Sequence, residues 1–192
     1  MNSAKSDDLR RQVLDAAVAI AAESGPDDIS MREIARLAGV SHQAPYHHFG
    51  DRAGIFAAIS EEGFRRLAES LETSTAHGAM AMCEAYVHFA LEHKGHFRVM
   101  MRNDLCAFED FPATLFQADR AFNALRNEVL TLLGTNADAE DVDAQTTYMW
   151  SVAHGLATLL LDGPLLKKLG SVSDIEKLIR SVARKASSSI VV

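Results

Sequence analysis

Apolar residues recur at helical spacing along nearly all of this 192-residue chain. Leu9, Val13, Ala16, Ala17, Ile20 and Ala21 share one stripe, which predicts a first helix from about Asp7 to Ser24. Gly25 and Pro26 stop it. Ser30 stands three residues before Glu33, the spacing of a capping box at the head of a second helix. Ile34, Leu37 and Ala38 supply that helix's apolar face, and Gly39 ends it. In "AGVS", Gly39 permits a left-handed turn, Val40 points inward and Ser41 caps a short third helix from about His42 to Phe49. Asp51 caps a fourth, reaching about Thr73 and carrying Ile55, Phe56, Ile59, Phe64 and Leu67.

The second half follows the same period. Helices are expected over about Ala79–His93, His96–Arg102, Pro112–Leu133 and Ala139–Leu161. "DGPLLKKLGSVS" reads as a loop, a last helix starts near Asp174, and the "ASSSIVV" tail is expected to fray. No strand alternation, internal repeat or low-complexity segment interrupts the pattern, so the fold class is all-α. From Tyr148 to Leu161 the helix is apolar nearly all round. Such a helix must be covered on both sides. Met149, Ala153, Leu156 and Leu160, with Ile175, Ile179 and Val182 of the last helix, are therefore expected at a four-helix interface across a homodimer two-fold axis.

Composition narrows the setting. No apolar run reaches the ~18 residues of a membrane span, and the polar start "MNSAKSDDLRR" lacks the apolar stretch of a secretory signal. Cys83 and Cys106 alone imply no disulfide framework. A reducing cytoplasm is the expected location. The net charge of −7 argues against a protein that coats nucleic acid indiscriminately. Between Ser30 and Gly54, however, Arg32, Arg36 and Arg52 outnumber Glu33 and Asp51, and three of the eight histidines fall in the same window. An acidic protein binds DNA if one small face is basic.

Those histidines lie in "SHQAPYHHFGDR", Ser41–Arg52. On a helical wheel with Gln43 at 0°, Ala44, His47 and His48 fall at about 100°, 40° and 140°, while Pro45, Phe49, His42 and Tyr46 fall at about 200°, 240°, 260° and 300°. The three imidazoles do not converge as metal ligands on one helix would, and no metal or cofactor is expected. Gln43, Ala44, His47 and His48 form a polar side opposite Pro45 and Phe49. Gln can bond adenine bidentately, Ala can touch a thymine methyl, and His can donate to guanine or phosphate. Tyr46, Ser30, Ser41, Arg32 and Arg52 are placed for the sugar–phosphate backbone. A surface helix with incidental histidines fits the same side chains.

The arrangement around the stretch distinguishes the two. "IAAESGPDDISMREIARLAGVSHQAPYHHFGDRAGIFAAI" resembles the DNA-binding domain of the tetracycline-repressor (TetR) family of bacterial regulators. Gly25, Ser30, Ile34, Ala35, Ala38, Gly39, Val40, Ser41, Tyr46 and Phe49 all stand at that family's spacings. Pro45 replaces the usual Leu or Ile, and Arg52 the commoner lysine. "MWSVAHGLATLLLDG" is similar to the Trp-x-x-x-His-Gly helix of one subset of the family's C-terminal domains, through Trp150, His154 and Gly155. The resemblance implies a homeodomain-like three-helix unit with a helix-turn-helix at about 30–49, within a DNA-binding domain at 7–67. A helical effector-binding and dimerisation domain would span 68–192. It implies a repressor that holds a near-palindromic double-stranded operator and is released by a small molecule.

Other features are weaker. His88, Glu92 and His96 have i, i+4, i+8 spacing, but Lys94 and Gly95 interrupt the helix, which favours partly buried or solvated histidines over a metal site. Phe89, Phe97, Met101, Phe108 and Trp150, with His93 and His154, are candidates for lining an adaptable, mostly apolar effector pocket, and equally for ordinary core. The fourth helix is the element placed to carry an effector signal to the reading helix. An all-helical enzyme, or a binding protein without DNA, is the competing class. The chain carries no Gly-rich phosphate loop, HExxH or G-x-S-x-G elbow to support an enzyme.

Overall fold

A computed structural model describes residues 2–134, 136–163, 165–169 and 174–188. Among them there is no strand. The helices are α1 (Asn2–Glu23), α2 (Met31–Ala38), α3 (Ala44–Phe49), α4 (Arg52–Ser74), α5 (Gly78–Glu92), α6 (Lys94–Met100), α7 (Pro112–Leu133), α8 (Ala139–Leu161), α9 (Leu165–Lys168) and α10 (Ile175–Ser188). Single 3-10 turns occur at Pro26–Asp28, Thr75–His77 and Phe108–Asp110. α7 and α8 run as their sequence period requires. α1 begins earlier than expected, since nothing in its polar start breaks a helix. The expected loop after α8 contains α9, and of the expected frayed tail Ala186–Ser188 is helical while residues 189–192 lie outside the described region.

By packing, the chain divides into two units, Met1–Phe64 with His93–Ala118, and Arg65–Glu92 with Asp119–Val192. In the first, Val13, Ala17, Ala21, Ile34, Ile55 and Ile59 are fully or almost fully buried. α6 packs on α1 at very short range: a Cβ on Gly95 would stand 2.3 Å from the carbonyl oxygen of Val18. Arg98 of α6 donates to the Ala21 and Ala22 carbonyls at 3.2 and 2.6 Å; the Ala21 carbonyl also accepts the Gly25 amide at 3.2 Å, and the Ala22 carbonyl is one that a helix C-terminus leaves open. Glu62 of α4 pairs with Arg11 of α1 and lies 3.4 Å from His96 of α6. Leu37, expected on the apolar face of α2, is instead 49% exposed, because the short helix has room to bury only Met31, Ile34 and Ala35.

In the second unit α5, α8 and α10 pack together. One cluster joins Ala79, Val129, Val142 and Met149; another joins Val87, Leu156, Leu160 and Ile179. The expected dimer face therefore needs correction. Met149, Ala153, Leu156, Leu160 and Ile179 are buried within the single chain, and Val182 packs half-buried against the second cluster. Of that set Ile175 alone is exposed. The outward side of α8 is the stripe of Tyr148, Val152, Gly155 and Leu159, spaced i, i+4, i+7, i+11. An all-round apolar helix hides which side faces inward, and here the side with Met149, Ala153, Leu156 and Leu160 faces the chain's own core.

Candidate nucleic-acid interface

Local chemistry builds the helix-turn-helix. The Ser30 hydroxyl accepts the Glu33 amide at 3.2 Å and caps α2. Gly39 ends α2 in the left-handed region at φ 67°, a conformation that costs other residues energy. The Val40 amide returns to the Ala35 carbonyl at 3.0 Å. Ser41 does not cap α3 with its side chain; its carbonyl accepts the Ala44 amide at 3.0 Å, and the helix begins at Ala44. Pro45 sits in the first turn, where no intrahelical amide is needed.

The late start turns the helix relative to its expected placing. Ala44 and Pro45 are both buried, so Ala44 is removed from the set of base-contacting candidates. Ser41, His42, Gln43, Tyr46 and His47 are exposed together, with His48 half-buried at their edge. His42 and Tyr46 approach with ring centroids 5.9 Å apart, and His47 meets His48 edge-on at 5.1 Å. Burial first, then the charges of His47 and Arg10, pushes the His48 imidazole below its ordinary pKa.

The arginines divide by role. Arg32 is exposed on α2 and makes no ion pair among the described residues. Arg36 is paired with Glu33 at 2.6 Å, which holds that carboxyl below the usual range. Arg52 donates to the carbonyls of Pro26 and Asp27 at 3.0 and 3.1 Å and lies 4.9 Å over the Phe56 ring. It thus ties the start of α4 to the turn before α2, a role that its sequence position did not reveal. Arg10 of α1 lies 4.9 Å over Phe49 and steadies the end of α3. Sequence reasoning missed Arg10, because a cation–π contact between residues so far apart in the chain leaves no local pattern.

The effector candidates fall in both units. Phe97 and Phe108 are buried in the first unit, with His93 and Met101 half-buried; Phe108 meets Phe64 edge-on at 5.7 Å. In the second, Phe89 is buried while Trp150 is 40% exposed. A residue absent from the expected set joins Trp150 to His154. The Trp150 indole donates to the Tyr86 hydroxyl at 3.3 Å, and that hydroxyl lies 3.0 Å from His154 Nδ1. Indole can only donate, so the Tyr86 oxygen accepts from it, while the direction of the bond to Nδ1 follows the imidazole tautomer. Burial pushes the His154 pKa down, which favours the neutral imidazole. Phe122 meets Trp150 edge-on with ring centroids 6.1 Å apart. Of the interrupted histidine series, His88 lies 3.4 Å from Glu176. No group of three or more metal-ligating side chains occurs among the described residues.

Comparison with known proteins supplies independent findings. Residues 13–59 match the family model described as bacterial regulatory proteins, tetR family. Residues 79–185, more than half of the chain, match the tetracyclin repressor-like C-terminal domain. The HTH-type transcriptional repressor Rv1474c of Mycobacterium tuberculosis is 39% identical over 59 residues, 31% of this chain and 32% of that protein. The match thus spans about a third of that relative's length. The HTH-type transcriptional repressor AcnR of Corynebacterium diphtheriae is 27% identical over 181 residues, covering 90% of this chain and 92% of its own. The crystal structure of the TetR family transcriptional regulator PfmR from Thermus thermophilus superposes with a TM-score of 0.71 at 21% identity, covering 92% of this chain and 97% of that one, a likeness of fold.

Proposed function

The chain belongs to the tetR family of bacterial regulatory proteins and is a DNA-binding transcriptional regulator, and from that premise we propose that it is a homodimeric repressor, released from a near-palindromic operator by a small, mostly apolar molecule. The observation that carries the reading is the exposed cluster of Ser41, His42, Gln43, Tyr46 and His47 on a helix whose Ala44 and Pro45 anchor it inward. Gln43 and His47 read base edges; Tyr46, Ser41 and Arg32 address phosphates. Arg52, expected to bind phosphate itself, supports them by fixing the turn before α2.

Dimerisation uses the outward stripe of α8. Tyr148 and Leu159 are 42% and 44% exposed, and a Cβ on Gly155 would meet nothing within 4 Å. A glycine midway along an exposed apolar stripe lets a second helix approach closely. Two reading helices then meet successive major-groove faces about 34–36 Å apart. Trp150, Tyr86 and His154, with Phe89, are the proposed effector region of the C-terminal unit, and the resemblance carried by Trp150, His154 and Gly155 supports the Trp-x-x-x-His-Gly subset. No helix among the described residues is long and apolar enough to cross a membrane, and the working location is the cytoplasm. The deciding experiment is selection of bound sequences from random DNA by the full chain, followed by a ligand screen for release. A near-palindromic consensus and a ligand whose own affinity drops when operator is present are expected. Failure to enrich any sequence across salt concentrations would overturn the reading.

A further inference from the structure

Several exposed cations of this acidic chain are paired with carboxylates: Arg36 with Glu33, Arg65 with Glu69, Arg120 with Glu72 and Arg126 with Asp143. α10 differs. With Ile179 at 0° on a helical wheel, the buried Ala183 and Ala186 fall at about 40° and 340°, and Arg180, Arg184 and Lys177 fall at about 100°, 140° and 160°. The three cations share one flank and make no ion pair among the described residues. Glu176 falls on the α5 side of that flank, since its carboxylate lies 3.4 Å from His88 of α5. Leu178 and Val182 take the opposite flank and pack half-buried against Val87, Leu156 and Leu160.

The basic flank lines a cavity of about 440 Å³ formed by Met80, Asp174, Lys177, Arg180, Ser181 and Arg184. Asp174, the carboxylate among these residues, accepts the Lys177 amide at 3.0 Å and caps α10. We propose that this cavity binds a small polyanion, a molecule carrying two or more neighbouring carboxylate or phosphate groups. Three like charges along two turns repel one another, and a bound anion would relieve that repulsion. Arg180 and Arg184, one turn apart, offer planar forks that match such oxygens bidentately, and Ser181 adds a hydroxyl donor to the same wall. The volume falls within the range of small-molecule sites. With Met80 as the one apolar side chain in the wall, the ligand is polar, unlike the mostly apolar effector proposed above. A second copy of the chain is the weaker occupant, because the outward apolar stripe lies on α8 whereas the basic flank turns toward α5.

The test is calorimetric titration of the full chain at low ionic strength with pyrophosphate and, separately, propane-1,2,3-tricarboxylate, with acetate as the monovalent control. Saturable binding of at least one polyanion is expected, and the responding arm assigns phosphate or carboxylate chemistry. Arg180→Gln and Arg184→Gln should each weaken it about tenfold or more, as loss of a charge-assisted bond requires. Lys167→Gln and Lys168→Gln, on exposed α9, should leave it unchanged. Acetate binding as well as the polyanions, or full binding by the double arginine variant, would overturn the proposal. So would loss of the dimer in that variant, which would make the partner copy the occupant, or loss of salt-dependent affinity for random duplex, which would make it nucleic acid.

Discussion

The base readers and phosphate contacts proposed on α3 are separable by single substitutions. Alanine at Gln43 or His47 should cost about 1–3 kcal/mol on the selected operator and much less on random duplex. Tyr46→Phe should weaken both alike, since a phosphate contact carries no sequence information. Competition binding at fixed salt checks all three, and equal losses on both DNAs for Gln43 and His47 would remove them from the reading set. A second residue-scale prediction concerns pH. Burial holds the folded His154 below the ~6.5 of an unfolded histidine. The unfolded chain therefore binds more protons than the folded one in the window just below that value. Stability from neutral His154 is complete above ~6.5 and is lost as pH falls through its lower folded value. His154→Gln should flatten the dependence of the urea midpoint on pH in that window. His48 contributes with the same sign, as burial lowers it too, so a residual slope should remain.

At the scale of elements, the first unit is tested at the close contact of α6 with α1. Gly95→Ala places a methyl 2.3 Å from the Val18 carbonyl, and neither backbone can yield cheaply. Overpacking of this kind costs about 1–3 kcal/mol. Arg98→Met keeps most of the apolar stem but takes its donor from the Ala22 carbonyl at the end of α1, for about 1 kcal/mol, while the Ala21 carbonyl keeps the Gly25 amide. Both should lower the urea midpoint of the free protein, and neither touches DNA. Ser30→Ala removes the cap of α2 at about 1 kcal/mol. Such values place the rigidity of the helix-turn-helix in its supports as well as in its own short helices.

For the whole molecule, the corrected phase of α8 yields a sharp contrast. Gly155→Leu meets open space in the single chain, so the chain should fold at least as well as the parent. It should nevertheless sediment as a monomer and lose operator affinity, because the partner helix can no longer approach. Leu156→Asp should instead unfold the second unit, since Leu156 lies in that unit's own core. Sedimentation and circular dichroism on the same samples distinguish the two outcomes. A Gly155→Leu dimer that holds operator with full affinity would return the dimer face to another surface.

Much of this protein is determined locally and can be read without coordinates. The Ser30–Glu33 cap, the left-handed Gly39 and the bounds of α7 and α8 follow from side chains within a few residues of one another. The spacings from Gly25 to Phe49 carried the family for the same reason. Packing decided the rest. Nothing within α8 says which side is inward, because leucine, methionine and alanine occur all round it; α5, α7 and α10 set its phase by packing on Met149, Leu156 and Leu160. Ala44 turned inward once α3 started two residues late against α1 and α2. Arg52 finds its carbonyls 25 and 26 residues earlier, and Tyr86 lies 64 and 68 residues from Trp150 and His154. Such contacts form only when distant segments share a core, and that placement is a property of the packed chain, invisible in the period of any one helix.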